Sequence, residues 1–226
     1  MRERSAISLF AACGALLLST GAHAATLTKA PDLGDYWHPL SSWGTNVYAD
    51  SFIAPVTGSV TDLGTWLNGG SSSLVFEILA DAGDAPDGAT ILGSTAVLSY
   101  TTDTLTFEHA VPSTDITLIA GQRYWFAAST VGLGGSGGYD VGGHSQNSGG
   151  IIDDGSFWYS NDAAGLGFDG QSQTPEMAFS VSISAVPEPA PALLLGVGLL
   201  ALGLAARRRA SAPASLGQRI RSGSHP

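Results

Sequence analysis

The stretch Phe179-Ser180-Val181-Ser182-Ile183-Ser184 alternates apolar residues and serines without a break. A second stretch, from Leu74 to Leu79, places Leu74, Phe76 and Ile78 on one face in the same way. Successive side chains of a β-strand point to opposite faces, so this two-residue period predicts strands with one buried face and one exposed face.

Segments of strand character recur through the middle of the chain, and turn residues such as Asn68-Gly69-Gly70 separate them. The predicted strands cover residues 45–53, 59–67, 73–80, 91–100, 104–111, 116–119, 123–130, 156–160 and 177–184. The glycine-rich residues 132–150 predict one long loop. We therefore expect an all-β fold, an antiparallel β-sandwich of jelly-roll-like topology, over residues 45–185, preceded by an N-terminal segment over residues 25–44.

The N-terminus has the three parts of an export signal. Arg2 and Arg4 supply positive charge, residues 6–18 form an apolar run, and Ala22-His23-Ala24 provides small residues on both sides of a cleavage site before Ala25. We expect a signal helix within residues 1–24. Signal peptidase would cut between Ala24 and Ala25, and Ala22 and Ala24 are the small residues that define this site. The single cysteine, Cys13, would leave with this signal, so the mature protein would contain no disulfide.

The C-terminus combines a proline motif, an apolar run and an arginine cluster. Val186-Pro187-Glu188-Pro189 precedes 17 apolar or small residues, 190–206, and Arg207-Arg208-Arg209 follows them. A run of this length is at the short end of what can cross a bilayer as a helix, and arginines after it favour a cytoplasmic end. The sequence predicts a transmembrane helix over residues 190–206 and a disordered cytoplasmic tail over residues 210–226.

The order of these three parts resembles the PEP-CTERM sorting signal of Gram-negative bacteria, here over residues 186–209. The resemblance implies recognition by an exosortase, removal of the tail near the proline motif, and a link with exopolysaccharide. The protein would cross the inner membrane, stay there as an anchored precursor, and then reach the cell surface or the extracellular matrix.

The body also resembles, more loosely, the choice-of-anchor class of exported β-sandwich domains. The matching segments are Ser51-Phe52, Val60 to Leu63 with Trp66, Phe76 to Leu79, Gly121 to Phe126, and Met177 to Phe179. This resemblance implies a sandwich fold and carries no catalytic residues with it.

Charge and residue clusters narrow the function further. Residues 25–186 contain two basic and 17 acidic residues, a formal charge of −15, which excludes nucleic acid as a partner because the phosphate backbone is also negative. Asp81, Asp84 and Asp87 are close enough in sequence to ligate calcium, although Asp, Gly and Pro also form turns without a metal. No other cofactor is expected.

Aromatic residues provide the candidate ligand contacts. Tyr139, Trp158 and Tyr159 would suit a polysaccharide if exposed, whereas the alternative is that they belong to the core of the sandwich. Alternation in Phe157-Trp158-Tyr159 puts Trp158 on the face opposite its two neighbours.

Together these features predict a non-enzymatic exported surface or extracellular-matrix protein associated with exopolysaccharide. Two alternatives stay open: a secreted hydrolase that uses carboxylates the sequence does not single out, and a calcium-binding carbohydrate-recognition module.

Overall fold

The computed structural model describes residues 23–31, 37–40, 45–133, 138–144, 157–162, 167–172, 176–186 and 196–204. The chain divides into two compact units, Ala22–Val186 and a second unit made of Met1–Gly21 and Pro187–Pro226. Every strand among the described residues belongs to the first unit, and these strands form two antiparallel sheets.

Sheet 1 contains eight of these strands. Its main path runs in the order β1 (Ala25–Lys29), β15 (Phe179–Ala185), β4 (Gly58–Asn68), β11 (Tyr139–His144) and β14 (Glu176–Met177). Beside this path lie β2 (Trp37–Leu40), paired with β11, and β8 (Thr106–Ala110) and β9 (Thr117–Leu118), both paired with β4. Sheet 1 therefore places the first and last strands of the unit side by side.

Sheet 2 contains the other seven strands. Its path runs in the order β13 (Gly170–Ser172), β12 (Phe157–Ser160), β3 (Val47–Ile53), β10 (Arg123–Ser129), β5 (Gly70–Asp81) and β6 (Pro86–Ser94), and β7 (Leu98–Thr102) also pairs with β5. Strands β3 and β10 lie inside this sheet, with a partner on each side.

The main core lies between the two sheets and contains side chains from both. Phe126 of β10 stacks on Phe179 of β15, with ring centroids 5.2 Å apart and planes 8° from parallel, and Phe52 and Phe76 pack beside this pair. Burial of such large apolar side chains is the main favourable term in folding. The predicted antiparallel β-sandwich is confirmed at this level.

The predicted alternation is also confirmed. Phe179, Val181 and Ile183 are fully buried in the main core, whereas the serines between them lie on the other face. There, Ser182 hydrogen-bonds to Thr26 of β1 through a 3.1 Å contact between their hydroxyl groups.

Four strands of the two sheets lie outside the predicted strands, namely β1, β2, β11 and β13. Strands β1 and β2 fall in residues 25–44, so sheet 1 begins at Ala25 and the prediction of a domain over 45–185 starts too late. Strand β1 was not predicted because one of its two inward-facing side chains is charged. These side chains are Leu27 and Lys29, and both are buried. Strand β13, only three residues long, pairs with β12 and has no apolar side chain to mark it.

The glycine-rich stretch 132–150 is not one long loop, because β11 lies within it. The strand passes other residues closely at Gly142: a Cβ there would lie 3.1 Å from Cγ of Pro31 and 3.2 Å from Cβ of Trp66, so a larger residue would need these side chains to shift by a few tenths of an ångström.

The predicted strand over residues 91–100 is divided between β6 and β7. The interruption is at Thr95, which is buried between them and forms an isolated bridge with Pro112. Oγ1 of Thr95 accepts a hydrogen bond from the backbone N–H of Phe76 at 3.1 Å, so a side chain replaces a regular ladder bond there.

In the second unit, residues 196–204 form a helix that falls within the predicted span of residues 190–206. Among the described residues, no helix combines the length and apolar character that crossing a bilayer requires. Residues 1–22, 187–195 and 205–226, which contain most of the predicted signal helix, most of the proline motif, the arginine cluster and the predicted tail, lie outside the described residues.

Candidate binding surface

Trp158 lies on the outer face of sheet 2. It packs with a second apolar cluster, whereas Phe157 is buried in the main core and the half-buried Tyr159 packs against that core. The predicted alternation across Phe157-Trp158-Tyr159 is therefore confirmed. Nε1 of Trp158 is buried and has no hydrogen-bond partner among the described residues, and an unsatisfied donor of this kind is unfavourable by about 1–3 kcal/mol.

The second cluster covers the outer face of sheet 2. It consists of Val47, Ala49, Leu79, Trp125 and Ala127, with Val131, Trp158 and Phe168 packed against it. Strand register puts Glu77, Ala127, Ala49 and Trp158 in one row across four neighbouring strands. Strands lie about 4.8 Å apart, so Glu77 and Trp158 are roughly 14 Å from each other at the two ends of this row.

A hollow of about 500 Å³ opens beside Trp158. One side is the turn between β5 and β6 together with Pro86 and Asp87 at the start of β6, and the other side is formed by Trp158, Gly167 and Phe168. The hollow therefore combines flat aromatic rings with a carboxylate and exposed backbone.

The three aspartates predicted to bind calcium each have a separate partner. Asp81 Oδ1 accepts a hydrogen bond from Nε1 of Trp125 at 2.9 Å, and Asp84 forms an ion pair with Arg123. Asp87 Oδ1 accepts from the backbone N–H of Ala89 at 3.0 Å. In the described part of the chain, no three His, Cys, Asp or Glu side chains are placed to share a metal ion.

Asp87 is held in its charged form. A hydrogen bond from the side chain of Thr90, and a second from the backbone of Ala89, lower the pKa of the Asp87 carboxyl. Asp84 has a φ of 69°, a left-handed conformation that Asp tolerates better than most residues. These features stabilise the turn that forms one side of the hollow.

Tyr139 is not available for ligand contact, because only 1% of its surface is exposed. Its hydroxyl accepts hydrogen bonds from the backbone N–H groups of Ser72 at 2.9 Å and Tyr100 at 3.0 Å, and it also contacts their carbonyl oxygens. Through these contacts Tyr139 links β11 to β5 and β7. Since Tyr159 faces the main core, Trp158 alone of the three predicted contact residues lines the hollow.

Glu77 is a carboxyl buried on the same outer face, with 8% of its surface exposed. Burial raises its pKa to about 7, and its Oε2 atom has no hydrogen-bond partner among the described residues. A buried carboxylate without full hydrogen bonding is unfavourable, so the protonated form is preferred up to neutral pH.

A buried ionic cluster joins the two sheets, and sequence reasoning missed it. Nζ of Lys29 lies 3.2 Å from both carboxylate oxygens of Asp50 and forms a second ion pair with Glu176. All three residues are buried: 4% of Lys29 is exposed and none of Asp50 or Glu176. The Asp50 carboxylate also accepts a hydrogen bond at 3.0 Å from the backbone N–H of Met177.

Two opposing effects act on Lys29. Burial lowers its pKa, but the charges and hydrogen bonds of Asp50 and Glu176 together raise it by more. The signal in the sequence was available: Lys29 is the only lysine in the chain, and it lies two residues after Leu27, at an inward position of an alternating strand.

The predicted processing sites lie at the ends of the first unit. Ala24 is exposed, Ala25 is the first residue of β1, and Val186 follows the last residue of β15 and is exposed. The other predicted processing and sorting residues lie outside the described residues, namely Ala22, Pro187, Glu188, Pro189, Arg207, Arg208 and Arg209.

Comparisons with known proteins give no family for this chain: no family model and no curated protein matches it. Among solved structures, it is similar at 17% identity and a TM-score of 0.28 to "Carbohydrate-Binding Module CBM36 in complex with calcium and xylotriose", over 52% of this chain and 95% of that one. It is also similar, at 11% identity and a TM-score of 0.24, to a chain of the infectious bursal disease virus Gx strain, over 84% of this chain and 49% of that one. At these TM-scores neither similarity carries an argument about function.

Burial of Glu77 predicts a pH dependence of stability. Its pKa is 4.5 in the unfolded chain and about 7 in the folded protein, so between these values the folded state retains a proton that the unfolded state has released. The contribution of Glu77 to the free energy of unfolding therefore falls as the pH rises through this window, by on the order of 3 kcal/mol in total.

Glu77→Gln should remove this dependence and stabilise the protein at pH 8 relative to wild type, with little effect at pH 4. Urea unfolding of both proteins across this range measures the difference. Parallel pH profiles of the two proteins would contradict the assignment.

Proposed function

We propose that this protein is an exported, non-enzymatic protein of the cell surface or extracellular matrix, sorted through its C-terminal tail. The observation that carries the proposal is where the folded unit begins and ends. Strand β1 starts at Ala25, directly after the expected signal-peptidase site, and β15 ends at Ala185, directly before the Val186-Pro187-Glu188-Pro189 motif. Removal of both terminal segments would leave both sheets intact.

The arrangement of the two end strands supports the same proposal. β1 and β15 are antiparallel neighbours, with Ala25 opposite Ile183. The start of β1 and the end of β15 therefore lie at one end of sheet 1, where the backbone N–H of Val186 still bonds to the carbonyl of Thr57 at 3.0 Å. Both processing sites would be accessible from one side of the folded unit.

The expected route follows from the two terminal signals. Signal peptidase would act at Ala25 during export across the inner membrane, and the apolar segment 190–206 would hold the precursor in that membrane. An exosortase would then cut near Pro187 and release or transfer the sandwich, which we propose to be jelly-roll-like, to the surface or the matrix.

The first experiment compares the protein from its native host with the protein from the same host lacking its exosortase. Mass spectrometry of the terminal peptides should show an N-terminus at Ala25 in both strains and a C-terminus near Pro187 only where the exosortase is present. A tail that reaches Pro226 and stays in the membrane fraction of both strains would contradict sorting.

The hollow beside Trp158 suggests what the exported protein binds. We propose that a sugar ring of an extracellular polysaccharide stacks on the indole of Trp158. The Asp87 carboxylate in the same hollow can accept hydrogen bonds from sugar hydroxyls, because it is held in its charged form. The buried Nε1 donor of Trp158 is a further group that a ligand oxygen could satisfy after a small movement of the ring.

Binding is favoured over the hydrolase alternative by the positions of the carboxylates. A glycosidase needs two carboxyl groups about 5–9 Å apart on opposite sides of a substrate site. Among the residues that line the hollow, Asp87 is the one carboxylate. Asp50 and Glu176 do come close together, but both are fully buried against Lys29, where no substrate can reach them.

The test uses Trp158→Ala and the polysaccharide purified from the culture medium of the native host. We expect at least tenfold weaker binding, corresponding to about 1.4 kcal/mol or more, because the variant loses the stacking surface. Trp66→Ala is the matched control: Trp66 is a half-buried tryptophan of sheet 1 whose ring packs against Phe107 at a tilted angle, and this variant should bind like wild type. Equal binding by all three proteins, measured by calorimetry, would place the contact elsewhere.

A further inference from the structure

Lys29 and Asp50 bring an amine and a carboxyl group into direct contact inside the protein. Nζ lies 3.2 Å from Oδ1 and 3.2 Å from Oδ2, so it is in direct contact with both oxygens of the Asp50 carboxyl group. Glu176 contacts the same nitrogen. We propose that Lys29 and Asp50 form an intramolecular amide bond between Nζ and Cγ, with Glu176 as the group that carries the protons.

The surroundings of the pair favour this reaction. Nζ is held within 3.2 Å of both oxygens bonded to the carbon it would attack. Groups held together in this way have already lost much of the entropy that a reaction in solution must lose. The side chains of Lys29, Asp50 and Glu176 are almost completely buried, so bulk water does not compete for the carboxyl carbon.

Each step balances in atoms and charge. Glu176 takes one proton from the Nζ ammonium and passes it to Oδ1 of Asp50, so that a neutral amine meets a neutral carboxyl group. The nitrogen lone pair then forms the bond to Cγ of Asp50, and the second proton leaves Nζ by the same route. The backbone N–H of Met177, 3.0 Å from Oδ2, stabilises the negative charge that develops on that oxygen. The two protons that leave Nζ both end on Oδ1, which departs as water, and Glu176 returns to its starting state. No oxidant or other co-reactant is needed.

The bond would fix a strand that lies at the edge of its sheet. β1 lies at the edge of sheet 1, paired with β15 on one side, whereas β3 lies inside sheet 2. Linking Lys29 to Asp50 would therefore tie the two sheets together covalently. This covalent link needs no cysteine, and the single cysteine of the chain, Cys13, lies in the segment expected to be removed on export.

The first measurement is the mass of the full chain purified under denaturing conditions. We expect a mass lower by one water molecule than the sequence requires, after the terminal peptides have defined both ends. Wild-type protein at the full sequence mass would overturn the proposal, whatever the variants do.

Peptide mapping locates the bond. Chymotrypsin can cut after Tyr48 and Phe52, on either side of Asp50, and after Phe168 and Phe179, on either side of Glu176, so the two carboxyl groups fall in different peptides. A linked pair that contains Lys29 and Asp50, together with resistance to trypsin at Lys29, is the expected result. A link between Lys29 and Glu176 would overturn the assignment to Asp50.

Variants separate the roles of the three residues. Lys29→Arg keeps a positive charge but cannot form the amide, and Glu176→Gln keeps the shape but cannot carry the proton, so both should regain the mass of one water. Lys29→Arg should also melt on the order of 10 °C lower, as expected for loss of a cross-link. Glu77→Gln changes a buried carboxyl outside the cluster and should retain the water loss; full water loss in Glu176→Gln would contradict the role of Glu176.

Discussion

The buried contact of Lys29 with Asp50 and Glu176 is the constraint that connects the first strand of the unit to both sheets. It fastens an edge strand of sheet 1 to an interior strand of sheet 2, and it does so at the point where the chain enters the folded unit. Buried charges are tolerated only when they are paired, and removal of one partner typically costs 3–5 kcal/mol. The register of β1 on β15 therefore follows from placing Lys29 against its two carboxylates as much as from apolar burial.

The contact also explains where prediction from the sequence succeeded and where it failed. Strands β15 and β5 were predictable because each contains three apolar inward side chains in alternation, Phe179, Val181 and Ile183 in β15 and Leu74, Phe76 and Ile78 in β5. Strand β1 was not predictable, because a lysine normally indicates an exposed position. The two partners that allow Lys29 to be buried, Asp50 and Glu176, are 21 and 147 residues away in sequence. Strand β11 was not predicted because it lies in a glycine-rich stretch, in which Gly142 packs closely against Pro31 and Trp66.

The candidate site shows the same division. Alternation alone placed Trp158 on the face opposite Phe157, and that prediction is confirmed. The roles of Tyr139 and Glu77 depend on neighbouring strands and could not be predicted. The Tyr139 hydroxyl bonds to the backbone of Ser72 and Tyr100. The Glu77 carboxyl is buried at one end of a row of side chains whose other end is Trp158. Together these features describe a β-sandwich in which the start of β1 and the end of β15 lie side by side at one end of sheet 1. The hollow lies on the outer face of sheet 2.

Hydrogen exchange of the backbone amides of β1 tests the central claim most directly. An edge strand held only by backbone bonds should fray and exchange by local opening, whereas a strand fixed through Lys29 should exchange only when the whole unit unfolds. We predict that the amides of Leu27 and Lys29 are protected as strongly as that of Phe126 in the interior of sheet 2. Fast exchange in β1 beside full protection in β10 would show that the buried cluster does not hold the two sheets together.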